Sequence, residues 1–89
     1  MITVHLPLDL SAAFKSDSVI QMKAETLGDL VLSLEERHPG MASWLTESTG
    51  QFRQHLSVFL GGQRLKEAGA GTRVPDNTEV WILRAVSGG

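Results

Sequence analysis

A single amphipathic helix constrains this chain more than any other feature of its sequence. Leu27, Leu30, Val31 and Leu34 follow the i, i+3, i+4, i+7 spacing, which puts four apolar side chains on one helical face. Thr26, with Asp29 three residues on, predicts a capping-box-like start, in which the Thr oxygen accepts a free N–H of the first turn. His38-Pro39-Gly40 predicts the end: Pro39 disfavours helical geometry at His38, and Gly40 permits a sharp exit. One helix of this kind covers one face of one small sheet. A chain of 89 residues is accordingly expected as one domain.

The flanking segments supply strands. Ile2, Val4 and Leu6 alternate with Thr3 and His5, predicting a half-buried strand that stops at Pro7. Residues 8–17 read as a connection with Leu8, Leu10 and Phe14 tucked beneath it, and Ser18 to Ala24 as a second strand carrying Val19, Ile20 and Met22. After the helix, Trp44, Leu45 and Phe52 predict a short helix or packed loop over 41–54. Leu56 to Leu60 is a third strand, which Gly61-Gly62 turns into a short return at Gln63 to Leu65. Residues 66–73 read as a loop. Val74 to Thr78 form a turn whose Asn77 tolerates positive φ.

Glu79 to Leu83 is the last strand, and it is apolar on both sides: Val80 and Ile82 on one, Trp81 and Leu83 on the other. Such a strand is either covered twice or meets a partner. The order strand, strand, helix, strand, short strand, strand predicts an α+β fold. Its compact form is a β-grasp, or ubiquitin-like, roll: a mixed four- or five-stranded sheet on one main helix, with the first and last strands adjacent at the centre. Residues 1–84 are expected to make up this body and 85–89 a flexible tail.

Composition then excludes several kinds of function. Eight Lys and Arg against ten Asp and Glu leave a formal charge of −2, with no basic excess for a nucleic-acid partner. The absence of cysteine removes disulfides, thiolate metal sites and a cysteine nucleophile. No apolar run is long enough to span a membrane, and Met1 to Pro7 does not read as an export signal, so cytoplasm is the expected compartment. His5, His38 and His55 share no metal-ligand spacing and are expected at a strand edge, a helix end and a loop. Ser11, Ser16 and Ser18 have no base near them in sequence, and Gly61-Gly62 lacks the lysine and helix of a phosphate loop. No metal and no bound cofactor are expected.

What remains is Ala85-Val86-Ser87-Gly88-Gly89 directly after the last strand. Glycine has no Cβ, so a diglycine can thread a narrow channel and offer its terminal carboxyl group to attack. Three blocks carry a resemblance over nearly the whole length: Thr26-Leu27-Gly28-Asp29-Leu30, Leu34 to Gly40, and Pro75-Asp76-Asn77-Thr78-Glu79-Val80 leading to Gly88-Gly89. In these the chain resembles the ubiquitin-like sulfur carriers, a family that includes the small subunit of molybdopterin synthase and the thiamine-biosynthesis carrier. The family's usual Asp-Gly-Asp-Glu turn reads Asp76-Asn77-Thr78-Glu79 here, and Arg84 stands where an uncharged residue is common.

The resemblance implies a protein co-substrate that is not an enzyme by itself and is catalytic only inside a complex if it serves molybdopterin synthase. An E1-like adenylating enzyme using ATP would activate Gly89, with Gly88 as the small neighbour. A thiocarboxylate on Gly89 would then serve a sulfur-acceptor enzyme, such as a molybdopterin synthase large subunit or a cysteine-synthase-like enzyme. Phe59, Trp81, Leu83, Arg84, Val86 and Ser87 are the expected partner contacts. Two alternatives use the same fold: a ubiquitin-like modifier joined to lysines through Gly89, and a non-covalent interaction module.

Overall fold

The computed structural model describes residues 1–84. Five strands, β1 (Ile2–His5), β2 (Val19–Met22), β3 (Leu56–Leu60), β4 (Gln63–Arg64) and β5 (Glu79–Arg84), form one mixed sheet in the order β2-β1-β5-β3-β4. β1 and β5 run parallel at its centre and the other pairs are antiparallel. This is the expected β-grasp arrangement. Helix α2 (Leu27–Arg37) lies on one face, accompanied by α1 (Leu8–Phe14) and α3 (Met41–Leu45). The core joins Ile2, Val4, Ile20, Met22, Val58, Val80 and Ile82 of the sheet to Leu27, Leu30, Val31 and Leu34 of α2 and to Met41 and Leu45 of α3. All four residues of the predicted helical stripe are buried.

The start of α2 is more fully tied down than its sequence implies. The first four N–H groups of a helix have no intrahelical partner. Here Leu27 and Gly28 donate to the carbonyls of Thr72 and Ala70, and Asp29 donates to Thr26 Oγ1 at 3.1 Å. The Asp29 carboxylate accepts from the N–H of Glu25 rather than of Thr26, so the reciprocal bond is shifted one residue from a capping box. The segment read as a loop at 66–73 is therefore the clasp of the helix. Its closeness needs Gly28, where an added Cβ would lie 2.9 Å from the Ala70 carbonyl oxygen.

Two sequence expectations are corrected. Residues 8–14 are a helix and not a plain connection, and Leu8 is exposed while Leu10 and Ser11 are buried. Leu10 and Ser11 are buried and Phe14 packs against the core, so one apolar i, i+4 pair is all the helical stripe this short segment carries. Ser11 meets its polar requirement by donating to the Leu8 carbonyl. His5 lies on an interior strand, not at a sheet edge. The turns follow expectation: Gly61 and Gly62 have φ of 57° and 85°, as a two-residue type I′ hairpin requires, and Asn77 has φ of 62°.

Glu35 joins the two later helices. Its carboxylate accepts the N–H groups of Gly40 and Ala42, both at 2.9 Å, and so caps the uncapped start of α3 from the end of α2. Those two bonds favour the charged form and hold the Glu35 pKa below its ordinary 4.5. A depressed carboxyl pKa adds stability that is present above the unfolded value and is lost as pH falls through the folded one. Glu35→Gln, which keeps only one acceptor oxygen, is expected to lower the melting temperature at pH 7. The difference should shrink steadily below pH 4.5, where the parent side chain also becomes protonated. Thermal melts of both proteins between pH 3 and 7 check this. A constant gap across that range refutes it.

Candidate functional site

Alternation along each strand assigns the two faces of the sheet. Opposite the core face, register places Val19 beside His5, His5 beside Trp81, Trp81 beside Phe59, and Phe59 beside Arg64. These five residues form a row across all five strands. Leu83 extends it on β5, beside Ser57. Trp81 and Leu83 are each 40% exposed and Val19 is 50% exposed, while Phe59 is half-buried among them. Leu8 and Trp44 do not cover this face: both are themselves exposed, and Phe14 packs against the core.

The centre of the row is held in place. The His5 ring stacks on the Trp81 indole at a centroid distance of 3.5 Å and an interplanar angle of 1°, and His5 Nε2 lies 2.7 Å from Glu79 Oε1. The Glu79 bond steers the imidazole, and the imidazole backs the indole. Trp81 thus presents one fixed orientation, the low-entropy aromatic anchor that protein interfaces favour. Neither His5 nor Glu79 stood out in the sequence. The available signal was shared parity, since both lie on the side of their strands that carries Trp81.

The predicted contacts divide between two places. Phe59, Trp81 and Leu83 come together on the open face. Arg84 has the parity of Val80 and Ile82, so it turns toward the helical side and pairs with Asp9 at the start of α1. There, where β5 ends, Trp44, Arg53 and His55 join Arg84 around an open cleft of about 570 Å³. Arg53 is oriented by a 2.8 Å bond from its Nε to the Ser43 carbonyl. Val86, Ser87, Gly88 and Gly89 lie outside the described residues. Among the described residues no three His, Asp or Glu side chains converge as metal ligands, and no helix is long and apolar enough to cross a membrane.

Solved structures share this architecture. The chain aligns over its full length with all of a chain in the Amycolatopsis orientalis BexX/CysO complex, at 23% identity and a TM-score of 0.84. Against CysO of Mycobacterium tuberculosis, described as an antigen, 97% of this chain aligns with 100% of that one at 22% identity and a TM-score of 0.83. The small archaeal modifier protein 1 of Methanosarcina acetivorans gives 24% identity and a TM-score of 0.74, over 99% of this chain and 95% of that one. The fold is therefore the ubiquitin-like β-grasp of these small proteins. No protein-family model matches the chain, and no curated protein does.

Proposed function

We propose that the protein is a carrier whose terminal glycine is loaded with sulfur by a partner enzyme. The observation that supports this most is sequence position: Gly88-Gly89 closes the five residues that follow β5, the strand that carries Trp81 and Leu83 on the open face. A carboxylate is a poor electrophile until activated. The adenylating partner transfers AMP from ATP to the Gly89 carboxylate, releasing pyrophosphate. A sulfur nucleophile then attacks the carbonyl and displaces AMP, leaving a thiocarboxylate. A second partner, such as a molybdopterin synthase large subunit or a cysteine-synthase-like enzyme, takes the sulfur. On this reading the carrier contributes position and a recognisable surface rather than acid–base chemistry. A protein of the same fold has been crystallised in a two-component assembly, the BexX/CysO complex, which favours a partner-dependent role.

The deciding experiment is the intact mass of the protein after incubation with its adenylating partner, ATP and a sulfide source. A gain equal to sulfur replacing oxygen supports the proposal; an unchanged mass with an active cognate partner overturns it. A second reading, conjugation of Gly89 to lysines, is favoured by the modifier among the structural neighbours. It predicts target lysines bearing a diglycine remnant.

The open face makes a separate prediction. Trp81→Ala is expected to weaken capture by the adenylating partner roughly 30-fold or more, the size of an aromatic anchor's contribution. Its exposure keeps the fold intact. Calorimetric titration of both proteins with that partner checks this, and equal affinities refute it.

A further inference from the structure

The cleft where β5 ends is a second surface, distinct from the aromatic row. Trp44, 49% exposed, forms an apolar wall. Arg53, His55 and Arg84 supply two guanidinium groups and an imidazole, and Ser43 completes the lining. The sole carboxylate ion-paired there among the described residues is Asp9, on Arg84. Arg53 is aimed by its bond to the Ser43 carbonyl and has no carboxylate partner among the described residues.

This clustering runs against the composition. The whole chain carries a formal charge of −2, so a general attraction for anions is absent and the cationic group is a local feature. One aromatic wall with two guanidinium groups suits an acidic side chain next to an apolar one. A nucleic acid would need a wider basic surface than a chain of net charge −2 offers. The cleft also adjoins Arg84, after which residues 85–89 begin.

We infer that this cleft docks an acidic segment of the partner protein that takes up the tail, with Arg53, His55 and Arg84 receiving carboxylates and Trp44 receiving an apolar side chain. The inference rests on the proposed carrier role only for the identity of that partner. Asp9 is an internal competitor: it occupies Arg84 when the partner is absent and must share that guanidinium when the partner binds.

The test is a nuclear magnetic resonance titration of the ¹⁵N-labelled full chain with a doubly capped peptide, Asp-Leu-Asp-Glu-Leu-Asp. Its control is the same peptide with Asn and Gln in place of Asp and Glu. Saturable shifts confined to the Trp44 indole, Arg53, His55 and Arg84 are expected with the acidic peptide alone. Arg53→Gln should weaken binding about tenfold. If that change disturbs resonances away from the cleft, His55→Glu, at an exposed position, serves in its place with the same expected loss. Asp9→Asn should instead tighten binding about two- to fivefold, by removing an exposed ion pair that competes for Arg84. Absence of saturation, equal shifts with the neutral peptide, or no response to these substitutions overturns the inference. Failure of the carrier role shows separately, as an unchanged intact mass of the parent protein, and leaves the titration result standing.

Discussion

A protein lacking Gly89 is expected to take up no sulfur at all from an adenylating partner that loads the parent chain. The reacting carbon on the proposed pathway is the terminal carboxyl carbon, and shortening the chain moves it back by one residue. A channel that fits five residues beyond β5 then holds the new carboxyl group out of reach of the nucleotide. Displacements far smaller than a residue already slow positioned reactions by about 100-fold. Gly88→Val keeps the length and adds a branched side chain next to the reacting carbonyl, so it separates reach from bulk. Its loading rate is expected to fall on the order of 100-fold through misalignment of the same carbonyl. Both are read by intact mass over time. Normal loading of either variant removes Gly88-Gly89 from the chemistry and leaves the interaction-module reading in front. Neither change alters residues 1–84, so both variants should melt like the parent.

The second large effect concerns the body. Leu30 is fully buried at the centre of the α2 stripe, against the face formed by the central strands. Leu30→Ala is expected to destabilise the protein by about 2–5 kcal/mol, the lost transfer energy plus that of the cavity left behind. Small domains hold only about 5–15 kcal/mol in total, so this substitution brings the chain close to its unfolding midpoint. Leu32, two residues on, is 58% exposed. Leu32→Ala should change stability by no more than about 0.5 kcal/mol. Urea denaturation of the two variants compares them directly. Similar midpoints would show that the helix is not oriented as described.

The contrast between Leu30 and Leu32 shows how much of the body is legible from residue order. A helical period over 27–34, Thr26 before it and Pro39-Gly40 after it are local properties, and each meets its counterpart in the structure. Alternation over 2–6 and 79–83 likewise separates core from open face, and the exposure of Trp81 and Leu83 beside buried Val80 and Ile82 follows from it. Helix α1 is not legible in this way because a single apolar pair, Leu10 and Phe14, is too short a run to establish a period. The clasp from Ala70 and Thr72 escapes it because backbone carbonyls carry no residue-specific mark.

The candidate site divides in the same manner. Residue order alone shows that a diglycine follows an aromatic strand, that one amphipathic helix covers one face of a sheet, and that the chain lacks the residues of a thiolate or disulfide chemistry. What surrounds them is set by the packing of distant elements. The parallel pairing of β1 with β5 brings His5 onto Trp81 and Glu79, some 74 residues from Glu79 along the chain. Strand parity turns Arg84 away from Trp81 toward Asp9, 75 residues distant, and folding of the 41–56 segment sets Trp44, Arg53 and His55 beside it. The two differ in range. Periodicity records which way a side chain points relative to its own element, whereas register and packing between distant elements decide what it meets.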